Sequence, residues 1–150
     1  MPSERCVLSP EKWSKLGAEV AACAPYLPAH FDVAPRNIAL KISSGYKAKE
    51  YLTLLFCLAP ALFKKYLPAD VWECFTLGVN AMRIFLTTSG LTRTQVKAAH
   101  RDAVEFVGTF ERIFYQRDYR RLHYCRQSLH QFLHAANTIL RVGPLWCYSQ

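Results

Sequence analysis

Two stretches of the chain carry residue types that could do chemistry. In Ser128 to Pro144, SLHQFLHAANTILRVGP, His130 and His134 stand four residues apart. On a helix that spacing stacks them on one face, with the geometry of a metal-ligand pair. A closed zinc site needs two further ligands. Cys125 and His123 are near in sequence but form no chelating loop, and Gln131 stands where a zinc protease carries its glutamate. The reading is therefore no metal site, and two half-buried histidines hydrogen-bonded to neighbours. The second stretch is Phe110 to Arg126, FERIFYQRDYRRLHYCR. It interleaves Arg112, Arg117, Arg120, Arg121 and Arg126 with Phe114, Tyr115, Tyr119 and Tyr124. Guanidinium forks grip phosphates and aromatic faces stack on bases. The alternative is a solvated helix end whose aromatic rings point into the core, and the sequence leaves both open.

Other chemistries find little to stand on. Asp70 with Glu73, and Asp102 with Glu105, are acids three apart on helices. A two-metal nuclease wants acids converging from different elements in a dry cleft. There is no Gly-x-Ser-x-Gly, no phosphate-cradling glycine loop and no dinucleotide fingerprint. Nucleotide binding of that kind is not expected, nor is any resident cofactor.

The elements that must position these stretches read as helical throughout. Ser9-Pro10-Glu11 starts a helix that continues through Trp13, Leu16, Val20 and Cys23 and stops at Pro25 and Pro28. Residues 25 to 46 form a connector in which Ile38 to Ile42 is either extended or a helical turn. A second helical region runs from Tyr46 to about Leu67, where Pro60 should kink or split it. Pro68-Ala69-Asp70 opens a third, to about Leu86. Its Val71, Trp72, Phe75, Val79, Met82, Ile84 and Phe85 occupy more than one face, as in a helix central to its domain. Thr92 to Gln95 matches a capping box. The helix behind it carries an apolar stripe from Val96 to Phe114 and runs to about Tyr115, or at the longest to Tyr119. Leu129, Phe132, Leu133, Ala136, Ile139 and Leu140 form the stripe of the last helix, which Gly143-Pro144 ends. The expectation is an all-α chain: residues 1–8 as a tail, and 9–150 as a single domain of five or six helices in an irregular bundle.

Composition sets the setting. The chain has 150 residues, 51% of them hydrophobic, enough for a real core. Its net charge of +8 favours polyanionic partners. The N-terminus has no apolar segment of a secretory signal. Cys6, Cys23, Cys57, Cys74, Cys125 and Cys147 form no Cys-x-x-Cys pair. Cys23, Cys57 and Cys74 sit among apolar residues, where a thiol behaves as a small hydrophobe. An intracellular, reduced protein without disulfides is expected. The apolar run Tyr51 to Phe63 is too short to span a membrane and reads as a core helix.

Three blocks, in order, resemble transposases of the CACTA (En/Spm-like) group, notably the fungal forms. The first is YLTLLFCLAPALFKKYLPADVWECFTLGVNAMRIFL. The second is FERIFYQRDYRRLHYCRQSLHQFLH, similar to a family passage that ends in His-x-x-x-His. The third is the spacing from His134 to Gly143-Pro144-Leu145-Trp146, which looks like the family's Gly-Pro-Val-Trp. The resemblance implies a piece of a nuclear DNA transposase. Such enzymes cut with three acids and a divalent metal, Mg, on an RNase H-like core, and carry a helical region ahead of the last acid. That acid is expected shortly beyond Gln150, so the resemblance transfers no catalytic residue. His130, His134, Gly143, Pro144 and Trp146 match family positions with structural roles. The leading expectation is a non-catalytic helical domain that supports the nuclease core and contacts DNA through the Arg/Tyr stretch. The runner-up is a helical protein-interaction module with self-association and no DNA role. A metal-dependent enzyme built on His130 and His134 comes third.

Overall fold

The computed structural model describes residues 8–29 and 33–145. Cys6, Trp146, Cys147 and most of the expected N-terminal tail lie outside them. The architecture is all-α with irregular helical packing, and no strand occurs among the described residues. The helices gather into two compact units, one ending at Trp72 and one beginning at Glu73.

In the first unit, α1 (Pro10–Ala22) begins as its sequence dictates. Ser9 Oγ accepts the Lys12 N–H at 3.3 Å, and Pro10 occupies a position whose N–H would have no helical partner. Leu16 and Val20 are buried. Between them Gly17 lets α2 (Ile38–Lys41) approach, since a Cβ there would lie 2.6 Å from the Ala39 Cβ. Asn37 caps α2 by accepting from the N–H groups of Ala39 and Leu40, at 2.9 and 3.3 Å. This cap decides the segment Ile38 to Ile42 in favour of a helical turn.

Pro60 splits the next region as expected. It lacks the N–H that would bond the Phe56 carbonyl, and its ring crowds that turn. The chain therefore widens after α3 (Ala48–Thr53). Leu54–Leu58 is a π-turn in which the Ala59 N–H reaches the Leu54 carbonyl, followed by α4 (Ala59–Leu62) and a 3₁₀ turn, Phe63–Lys65. The displaced Pro60 carbonyl accepts from Trp72 Nε1 at 3.0 Å. Leu54 and Ala59 are buried, but Cys57 is exposed, which corrects the reading of it as a core thiol. The widened turn rotates it away from the stripe. Cys23, Cys57, Cys74 and Cys125 are all free thiols. Among the described residues no helix is long and apolar enough to cross a membrane.

The second unit holds most of α5 (Ala69–Phe85), with α6 (Arg93–Phe110) and α7 (Gln127–Val142). The capping box at the start of α6 is formed: Thr92 Oγ1 accepts the Gln95 N–H at 3.2 Å, and Gln95 Oε1 accepts the Thr92 N–H at 2.9 Å. Ala81, Phe85, Val96, Ala99, Ala103, Ala136 and Ile139 make the core. Small residues on α6 let α7 lie close, and Phe132 of α7 fills the space they leave, edge-on to Phe85 at 5.5 Å and to Phe106 at 5.7 Å. Gly143 ends α7 at φ 96°, a conformation that favours glycine.

A candidate nucleic-acid interface at the end of α6

The Arg/Tyr stretch is placed by how α6 stops. The α form ends at Phe110 and the helix continues as a π-turn over Glu111–Tyr115, stopping at the expected Tyr115, where the Gln116 N–H closes on the Glu111 carbonyl at 2.8 Å. Gln116 and Arg117 then both turn left-handed, at φ 55° and 53°. Neither is glycine, so the reversal costs on the order of 1 kcal/mol per residue. Gln116 offsets part of this by donating its Nε2 to the Ile113 carbonyl at 2.9 Å. Asp118 starts the return: its Oδ1 accepts the Arg120 N–H at 3.0 Å, and Tyr119–Tyr124 coil as a 3₁₀ turn against the π-turn.

A series of aromatic contacts ties this corner to the core. From Phe132 the rings run through Phe106, Phe110, Phe114 and Tyr124 to His123. The successive centroid separations are 5.7, 5.9, 4.6, 6.1 and 4.3 Å. Phe110 and Phe114 are half-buried in this series, while Tyr124 touches Phe114 yet remains 39% exposed. Tyr119 differs, standing 81% exposed.

The arginines also divide. Arg112, Arg117 and Arg126 are exposed, with Arg112 donating only to Thr109 Oγ1, at 3.0 Å, among its described bonds. Arg120 is engaged by Asp118 through Nε and Nη2 at 3.0–3.2 Å, and its guanidinium holds the Asp118 carboxyl below its ordinary value. Arg121 is half-buried and points Nη1 at the Phe114 carbonyl, 3.5 Å away. A groove of about 630 Å³ opens beside the π-turn, lined by Gly108, Glu111, Arg112, Tyr115, Gln116 and Arg117. Residue type and spacing alone do not mark Asp118, Glu111 or Gly108 as part of this corner. The Gln-Arg-Asp run after a helix is a turn signal that could have marked Asp118. Burial, and next the charge of Glu111, push the Cys125 thiol up.

The histidine pair lies on the outer face of α7. Both side chains are exposed, which corrects the half-buried reading; the buried face of the helix belongs to Ala136 and Ile139. The rings meet each other instead, Nε2 to Nε2 at 3.1 Å. Among the described residues no group of three or more His, Cys, Asp or Glu converges. Asp70, Glu73 and Glu105 are exposed and Asp102 is half-exposed. Gly143 and Pro144 follow α7, while Trp146 lies outside the described residues. The chain matches no family model, no curated protein and no solved structure.

Proposed function

We propose that the chain is a DNA-contacting helical domain that does not itself cut DNA. It would belong to a CACTA-like transposase, or a remnant of one, acting in the nucleus. The observation that carries the reading is the set of exposed arginines, Arg112, Arg117 and Arg126, within one short stretch of a chain with net charge +8, the first two lining one groove. Such a corner neutralises phosphates and releases their counterions. Tyr119, exposed in the same stretch, offers a ring for stacking. Divalent metal, Mg, belongs in this reading to the nuclease core of a longer protein.

The test is DNA affinity against salt concentration. Changing Arg112, Arg117 and Arg126 to alanine should flatten the salt slope by about one per lost phosphate contact. Binding that ignores salt, or a triple variant that binds like the unaltered chain, removes the proposal. A second reading is a protein-interaction module, favoured by Tyr119 and Leu122, 81% and 57% exposed in the same 3₁₀ turn. Stable self-association that DNA does not alter, measured as mass in solution, would favour it.

A further inference from the structure

We propose that His130 and His134 form an open surface chelate for a divalent transition-metal ion such as zinc. The case rests on α7 and the packing behind it, and is independent of any DNA role. Their Nε2 atoms lie 3.1 Å apart, with the rings at 74° to each other. With zinc–nitrogen bonds of about 2.0–2.1 Å, that separation subtends about 98° at the metal. This falls between square-planar and tetrahedral demands, so turning the two exposed rings about their side-chain bonds brings both nitrogens onto one ion without moving the helix.

Without metal, one Nε2 must carry a proton for the other to accept it. When a metal binds, the donor ring changes tautomer, giving its Nε2 proton to water while Nδ1 takes one up, so that both Nε2 lone pairs face the ion and each ring is neutral with its proton on Nδ1. Both side chains are exposed, so the path of entry is open and water completes the coordination. The pair is also held in advance. Behind it, Phe132 is wedged between Phe85 and Phe106, and Ala136 and Ile139 are buried. Thr138 Oγ1 donates to the His134 carbonyl at 3.1 Å. A chelate on a rigid element spends little binding energy on ordering its ligands. An open two-histidine chelate also makes a smaller demand than a closed four-ligand site. It does not require the third donor that is missing among the described residues.

The experiment is calorimetric titration of the metal-stripped full chain with zinc alone, beside thermal melting with and without zinc. The expected result is one saturable site per chain that depends on both histidines. His130→Asn and His134→Asn, both surface changes, should each weaken it at least about tenfold. Zinc should raise the Tm of the unaltered chain but not of the double variant. Absence of saturable zinc uptake overturns the proposal. So does uptake that both variants retain undiminished, which would place the ion elsewhere, as on the free thiols.

Discussion

Arg36 grips Glu50 with two prongs. Nε lies 2.7 Å from Oε1 and Nη2 lies 2.7 Å from Oε2, and the acid side chain is 0% exposed while the arginine remains 44% exposed. The backbone N–H groups of Arg36 and Lys47 complete the carboxylate's shell, at 3.2 and 2.8 Å. The Arg36 guanidinium also donates to the Gly45 carbonyl at 2.8 Å, and the Tyr46 hydroxyl to the Arg36 carbonyl at 3.3 Å. One buried acid thereby ties the connector to the start of α3.

Removing either partner should therefore unfold the first unit more readily. Glu50→Gln leaves donors facing an amide that cannot accept from all of them, and Arg36→Ala leaves a buried charge. A fully buried pair costs about 3–5 kcal/mol to break; the exposed half of Arg36 lowers the expectation to about 2–3 kcal/mol. Urea unfolding measures it, and a loss below about 0.5 kcal/mol would show that water replaces the pair freely.

The same pair makes stability depend on acid. The hydrogen bonds from Arg36 lower the Glu50 carboxyl from its ordinary 4.5 to about 2. As pH falls the unfolded chain takes up this proton first. The contribution of Glu50 is then whole above about pH 4.5 and drains away towards pH 2. Tyr46 acts at the other end. Burial first, and then the Glu50 charge, push its hydroxyl from 10.0 to about 12. Its contribution is whole below pH 10 and is lost as pH rises through 12. Melting temperatures across pH should show both arms, with Glu50→Gln flattening the acid one.

At the basic corner, Asp118 is expected to restrain DNA contact by engaging Arg120. Asp118→Asn keeps a side chain able to cap the 3₁₀ turn while removing the opposing charge. DNA affinity at low salt should rise by about three- to tenfold, with a steeper salt slope. Unchanged affinity would show that Arg120 does not face the polyanion.

Two glycines on helices should respond with opposite signs. Gly108 on α6 has open space where a Cβ would go. Gly108→Ala should thus stabilise by about 0.5–1 kcal/mol, by lowering the entropy of the unfolded chain and raising helix propensity. Gly17→Ala would drive its methyl into Ala39 and Asn37, at a cost of about 1–3 kcal/mol. Denaturation midpoints of the two variants decide the matter.

The sequence by itself determined what depends on neighbours in the chain. Ser9 with Pro10, Thr92 with Gln95, Pro60, and Gly143 with Pro144 all act within a few residues, so the helix starts, the break and the last stop were legible. The apolar spacings of α6 and α7 likewise announced their buried faces. Tertiary structure decided what depends on distant atoms. Glu50 looks like any first-turn acid until the connector brings Arg36 back to it, fourteen residues away in the chain. Periodicity carried the helix on to Tyr115, but it did not announce that the last turn widens into a π-turn, against which the 3₁₀ turn packs, or the strained reversal at Gln116 and Arg117. Arginine and aromatic spacing marked the corner without sorting it. Which rings join the core and which guanidiniums meet water is set by where the chain folds back, and local sequence does not encode that.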